Sequence, residues 1–102
     1  MAVYFQATIE LCAEGVAKFI QTMEVVLPIA QSAGWKLVGA YMQRTGRLHT
    51  VIDIWELEDY NHYDRGLQAI AKSPNFPQIA AALAETVERE TTVFMDRAPY
   101  MR

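Results

Sequence analysis

The sequence lacks several features that would place it in whole classes of protein. It has one cysteine, Cys12, in 102 residues, which excludes an internal disulfide and fits a reducing compartment. No stretch approaches the roughly 18 consecutive apolar residues that a membrane span needs. No charged start followed by an apolar stretch marks a secretory signal. We therefore expect a cytoplasmic protein without a membrane span.

Basic residues are also few, with 9 Lys and Arg against 12 Asp and Glu and a net charge of -3. Nucleic acid binding needs a clustered basic surface, so we expect no nucleic acid partner. His49 and His62 are far apart in sequence, and neither belongs to a cluster with metal-ligand spacing. The glycines are isolated and form no phosphate-binding loop. These absences predict no metal, haem or flavin cofactor.

What the sequence does contain is clear apolar periodicity over a length that fits one domain, residues 1–102. From Val3 to Leu11 apolar and polar residues alternate, which predicts a strand with one dry face. A helix is predicted from about Glu14 to Ser32, because its apolar residues recur at spacings of three and four. Pro28 should bend its last turn, and Gly34 is suited to the position beyond its end.

The second half of the chain predicts a hairpin, a broken helix and a last strand. The hairpin comprises Lys36–Arg44, a turn at Thr45–Arg47 and Leu48–Leu57. Asp59 should cap a helix whose buried face is Tyr60, Tyr63, Leu67 and Ile70. Ser73–Pro77 should break this helix before a second one and a strand from about Glu88 to Met95. This order predicts an α+β fold, a ferredoxin-like split βαβ unit with a four-stranded antiparallel sheet and helices on one face.

Residue parity predicts which face of the sheet each side chain occupies. We expect Val38, Ala40, Met42, Ile52 and Ile54 to join the apolar residues of the first strand beneath the helices. The opposite face would then carry Tyr4, Gln6, Thr8, Leu37, Gly39, Tyr41, Gln43, His49, Val51, Asp53 and Trp55. The last strand leaves two inward sets open: Thr91, Val93 and Met95, or Thr92 and Phe94.

The predicted opposite face is too aromatic for a solvated sheet surface. A second copy of the same sheet would cover it and close a shared barrel, which predicts a homodimer. The remaining cavity would be lined by Tyr4, Gln6, Thr8, Tyr41, His49, Asp53 and Trp55. Such a pocket fits a small, partly apolar or aromatic ligand with one or two polar atoms.

His49 and Trp55 of this set each have two possible interpretations. His49 is a candidate general acid or base, or else part of a polar rim. Trp55 could stack on a flat ligand, or else anchor the core or an interface. His62, in the first turn of its helix, is expected to be solvated.

The chain also resembles the NIPSNAP family over nearly its whole length. The resemblance rests on the order and spacing of Gly15, Pro28, Gly34, Lys36-Leu37-Val38-Gly39-Ala40-Tyr41, Gly46-Arg47-Leu48, Ile54-Trp55-Glu56-Leu57-Glu58-Asp59, Arg65, Ser73-Pro74-Asn75-Phe76 and Glu90. It implies a dimeric α+β barrel and no particular reaction. Two functions stay open. One is a homodimer that binds a small ligand or a protein partner, and the other is a cofactor-independent enzyme of the monooxygenase or isomerase kind.

Overall fold

The computed structural model describes residues 2–101 and confirms the predicted order of elements. The elements are β1 (Val3–Leu11), α1 (Val16–Ser32), β2 (Lys36–Met42), β3 (Thr50–Leu57), α2 (Tyr60–Lys72), α3 (Phe76–Thr86) and β4 (Val87–Met95), with a short 3-10 turn at Ala13–Gly15 before α1. The strand order is β2-β3-β1-β4, and all neighbours are antiparallel. The chain therefore has the predicted ferredoxin-like α+β fold, with the helices on one face of the sheet.

Local signals in the sequence account for most element ends. The Oδ1 atom of Asp59 accepts a hydrogen bond from the backbone N–H of His62 at 2.8 Å, which confirms the predicted cap of α2. Gly34 follows α1 with φ of +93°, a conformation that favours glycine. Helix α1 continues through Pro28 to Ser32. Strand β3 begins two residues later than predicted, because His49 adopts a left-handed conformation with φ of 61°.

The facing of β3 differs from the prediction. Phe5 pairs with Trp55 and Ala7 with Asp53, and directly paired residues of neighbouring strands point to the same face. Val51, Asp53 and Trp55 are accordingly buried beneath the helices, whereas Ile52 and Ile54 point the other way. The prediction was wrong because β3 carries large apolar residues at both parities, so alternation alone does not distinguish its faces.

A bulge also changes the facing of β2. The pairing with β3 shifts between Leu37 and Gly39, so Leu37 opposes Trp55 on the helix side. Val38 lies in the bulge and is 53% exposed, contrary to its predicted place beneath the helices. Ala40 and Met42 beyond the bulge are on the helix side as predicted, opposite Asp53 and Val51.

The pairing of β4 with β1 determines which residues of the last strand face the helices. Phe94 pairs with Phe5, Thr92 with Ala7 and Glu90 with Ile9, all on the helix side. The inward set is thus the one that contains Thr92 and Phe94.

His62 is buried, contrary to the sequence-based expectation, with 2% of its surface exposed. Its Nδ1 atom accepts a hydrogen bond from the backbone N–H of Glu58 at 3.0 Å. The ring hydrogen is therefore on Nε2, which lies 2.7 Å from the carbonyl oxygen of Ala33 and donates to it. His62 ties the end of α1 to the end of β3 and the start of α2. Tyr60 is exposed rather than buried, and its ring packs edge-on against Phe94.

Candidate functional site

A cavity of about 380 Å³ lies between the sheet and the three helices. Its floor is the helix-facing side of the central strands, and its roof comes from all three helices. The residues that line it include Phe5, Ala7, Trp35, Asp53, Trp55, Tyr63, Leu83 and Glu90. Ala7 lies in the middle of β1, and a larger side chain at this position would fill part of the cavity.

A second cavity of about 270 Å³ adjoins the first between α1 and strand β2. Phe19, Met23, Asp53 and Trp55 line both cavities. Asp53 thus lies on the wall of both spaces. The volume of the larger cavity alone is in the range of sites for small organic molecules.

Aromatic rings form a fixed wall of the larger cavity. The ring centroid of Phe5 is 5.1 Å from that of Trp35 and 5.1 Å from that of Tyr63, both in edge-to-face geometry. Trp35 and Tyr63 are nearly parallel, with centroids 5.7 Å apart. Trp35 Nε1 also donates a hydrogen bond to the carbonyl oxygen of His62 at 2.9 Å, which fixes the indole. Such a wall offers stacking surface without reorganisation.

Asp53 is the polar centre of the site. It is 5% exposed, and its carboxyl forms no hydrogen bond or salt bridge within residues 2–101. Since every fully enclosed side-chain oxygen or nitrogen of those residues has a hydrogen-bond partner, the Asp53 carboxyl oxygens keep a small accessible area, which faces the cavity. Burial, reinforced by the nearby charge of Glu90, raises the pKa of Asp53 from 3.8 to about 6. The carboxyl is therefore poised to exchange a proton near neutral pH.

Glu90 and Tyr63 complete the polar set. As a whole residue Glu90 is exposed because β4 is an edge strand, but it lines the cavity, and desolvation there raises the pKa of its carboxyl. Desolvation first, then the charges of Glu90 and Asp64, raise the pKa of the Tyr63 phenol above 10. Tyr63 thus keeps its hydrogen at neutral pH and is available as a donor.

The predicted pocket residues do not share one face. Asp53 and Trp55 line the cavity beneath the helices, whereas Tyr4, Gln6 and Thr8 lie on the opposite, open face of the sheet. Tyr41 pairs with Ile52 on that open face, yet at the edge strand β2 it also lines the smaller cavity together with Asp53 and Trp55. His49 lies before β3 and is exposed. On the open face, the side-chain amide of Gln6 donates to Thr8 Oγ1 at 3.5 Å, and Arg97 from the C-terminal tail donates to the phenol oxygen of Tyr4 at 3.4 Å.

Sequence reasoning did not identify Trp35, Tyr63 or Glu90 as site residues. The sequence contained one indication of Glu90. It is a charged residue on the same face of β4 as Thr92 and Phe94, which point inward. Trp35 gave none, since it lies in the link between α1 and β2.

Among residues 2–101, no helix is both long enough and apolar enough to cross a membrane. No group of three or more His, Cys, Asp or Glu in that part of the chain is arranged to hold a metal ion.

Comparisons with known proteins agree with this architecture. An uncharacterized NIPSNAP domain protein from Burkholderia xenovorans is 23% identical, with a TM-score of 0.80 over 100% of this chain and 99% of that one. A NIPSNAP family protein from Agrobacterium tumefaciens is 11% identical, with a TM-score of 0.82 over 98% of this chain and 96% of that one. SnoaB, a cofactor-independent oxygenase from Streptomyces nogalater, is 15% identical, with a TM-score of 0.73 over 98% and 96%.

These solved structures share the fold at low identity. No curated protein sequence matches the chain. The sequence profile of the NIPSNAP family, by contrast, matches residues 7–102. By that match over nearly its whole length, the chain belongs to the NIPSNAP family.

Proposed function

We propose that this domain binds a small, largely apolar or aromatic molecule in the cavity between its sheet and helices. The observation that carries the proposal is the carboxyl of the buried residue Asp53, which faces an aromatic-walled cavity and bonds to no group of residues 2–101. Burying an unpaired polar group costs free energy. A ligand that forms a hydrogen bond with the carboxylate would offset this cost.

Both tryptophans of the chain line this cavity, so the two indole N–H signals in an NMR spectrum report on it. Titration with naphthylmethanol, an uncharged probe of suitable size, should shift both signals. Ala7→Leu, with Ala7→Val as a milder step, fills the cavity and should weaken the binding. Ala81→Leu adds the same bulk at an exposed position of α3 and should not. Equal binding by all of these proteins would contradict the proposal.

A proton-transfer enzyme of the isomerase or monooxygenase kind is a second candidate. The raised pKa of Asp53, about 6, favours it, because a general base works best when its pKa lies near the working pH. Removal of a proton from a carbon acid is the step that both reaction kinds share. The cofactor-independent oxygenase with the same fold supports this candidate by analogy of architecture alone.

Nitrobenzisoxazole tests Asp53 as a base without knowledge of the natural substrate. A base removes its ring C–H proton, the N–O bond breaks, and a coloured cyanophenolate forms. We expect wild-type protein to accelerate this elimination, and Asp53→Asn to lose about a hundredfold of the rate. Asp64→Asn, on the exposed face of α2, is the matched control. A rate that is the same for wild type and Asp53→Asn would exclude Asp53 as the base.

We also propose that the protein is a homodimer joined through the open face of the sheet. That face exposes Val38, Tyr41 and Val93, which are 53%, 62% and 46% exposed. The Cα radius of gyration is 14.0 Å, larger than the roughly 13 Å of a compact chain of this length, and the molecule is a slab of 40 × 36 × 17 Å. A second slab on the open face would give a compact particle.

Sedimentation equilibrium at micromolar concentration tests the dimer. Wild type should sediment at twice the chain mass of 11.6 kDa. Val93→Lys places an ammonium in the contact and should shift the protein to monomer. Gln21→Lys, on the exposed surface of α1, should remain dimeric. A wild-type monomer would contradict this proposal and leave the cavity proposal untouched.

A further inference from the structure

We infer that the cavity is built for an organic cation, in which a protonated amine is carried on an aromatic or apolar body. This inference rests on the proposed binding function and specifies the chemical class of the ligand. It follows from the charges, the unpartnered carboxyl and the aromatic rings that line the two cavities.

The charged groups that line the two cavities are all acidic. They are Glu24 from α1, Asp53 from β3 and Glu90 from β4. Within residues 2–101, no Lys, Arg or His lines either space. A ligand that carries a carboxylate or phosphate would meet only like charge, whereas a cation would meet attraction in surroundings that screen it weakly.

Asp53 makes this more than a cluster of acidic side chains. It is 95% buried, faces both cavities, and has no partner among the described residues. A carboxylate in such a place gains most from a donor that is itself charged, because a bond between an ammonium and a carboxylate is shorter and stronger than a neutral hydrogen bond. The ammonium group of the ligand would donate the hydrogen bond that no group of residues 2–101 donates to Asp53.

The aromatic rings are placed to receive the same cation. Asp53 and Trp55 are two residues apart on β3 and face the same side, so their Cα atoms are about 7 Å apart. An ammonium bonded to Asp53 would therefore lie beside the indole of Trp55, the ring type that attracts cations most strongly. Phe5 and Trp35 lie next to Trp55, at centroid distances of 6.3 and 5.3 Å. They offer surface for the apolar body of the ligand.

Three naphthalene probes of matched shape test the inference by isothermal titration calorimetry at about pH 7.5, where most Asp53 carboxyls are ionised. They are naphthylmethylamine, which is cationic, naphthylmethanol, which is neutral, and naphthoate, which is anionic. We expect the amine to bind at least about tenfold more tightly than the alcohol, and naphthoate to bind least. Asp53→Asn should bring the affinity ratio of amine to alcohol toward one, and Glu90→Gln should lower it partly. Asp64→Asn, outside the cavity, should preserve it.

The pH dependence gives a second readout. The titratable groups that line these cavities with Asp53 are Glu90 from β4, Glu24 from α1 and the phenols of Tyr63 from α2 and Tyr41 from β2, while α3 contributes apolar residues. The advantage of the amine over the alcohol should therefore shrink as the pH falls to about 5 and the carboxyls take up protons.

The outcomes separate the inference from the function on which it rests. Equal affinity for the amine and the alcohol, or tighter binding of naphthoate, would overturn the cation inference and leave the binding cavity in place. An amine advantage that survives Asp53→Asn would overturn it as well. If none of the probes binds, the proposed binding function fails together with the inference.

Discussion

Asp53 pairs directly with Ala7 across strands β3 and β1, so the buried carboxyl stands beside one of the smallest side chains of the sheet. The space above Ala7 is cavity rather than packed core. No group in the described part of the chain, residues 2–101, bonds to this carboxyl, so its desolvation costs the fold free energy that can be measured.

Asp53→Asn should stabilise the protein at neutral and alkaline pH. Asp53 has a pKa of about 6 in the folded protein, against 3.8 for an exposed group, so between these values the folded state holds the proton more tightly. Stability then falls as pH rises through this window, and the full cost remains above it. The uncharged amide avoids this cost, and we expect a gain of about 1 to 3 kcal/mol near pH 8 that is mostly lost by about pH 4 and absent by about pH 3.

Urea unfolding of wild type and Asp53→Asn across this pH range measures the effect. Asp64→Asn replaces an exposed carboxyl of α2 and should show no comparable gain. A variant that is less stable than wild type near pH 8 would contradict this account of the Asp53 carboxyl.

Glu90→Gln should lower the pKa of Asp53. The charge of Glu90 is the second cause of the raised pKa, after desolvation, so its removal leaves the desolvation part in place. NMR titration of the Asp53 carboxyl carbon would show the midpoint moving downward in pH. Glu88→Gln, an exposed neighbour on the same strand, is the control. A midpoint unchanged in Glu90→Gln would mean that the two carboxyls do not interact.

His62→Ala should be strongly destabilising. The change removes the bonds to Ala33 and Glu58 and leaves a carbonyl and an N–H without partners at the junction of three elements. We expect a loss of about 3 kcal/mol, measured by urea unfolding. His49→Asn is the matched control, because His49 is exposed and asparagine tolerates its left-handed backbone. Similar losses in both variants would be inconsistent with this role of His62.

Gly66→Ala should also destabilise the protein, although alanine is usually the better residue inside a helix. A Cβ atom at Gly66 would overlap the indole of Trp35, so the ring or the helix must move. We expect a loss of about 1 to 3 kcal/mol in thermal or urea unfolding, together with displaced NMR signals of Trp35. Gln68→Ala, on the exposed side of the same helix, should cost little. A stabilised Gly66→Ala variant would show that this contact relaxes freely.

The sequence predicted the architecture well because each element carries its own periodic or capping signal. The face of β1 and the cap at Asp59 follow from such local patterns. The candidate site was predicted less well, because it depends on how strands pair. In β3 both parities are apolar, and the face that contains Asp53 and Trp55 is decided by pairing with β1. The burial of His62 depends on partners that are distant along the chain, which no local pattern reveals.

The walls of the cavity are also the hydrophobic core, since Phe5, Phe19, Trp35 and Trp55 belong to both. Under the proposed function, the same side chains therefore determine both which ligand binds and how stable the fold is. A lineage that reshapes this space for a new molecule changes its own stability in the same step. Divergence of specificity in such a domain is expected to proceed by paired substitutions, one that alters a wall residue and one on a covering helix that restores the packing.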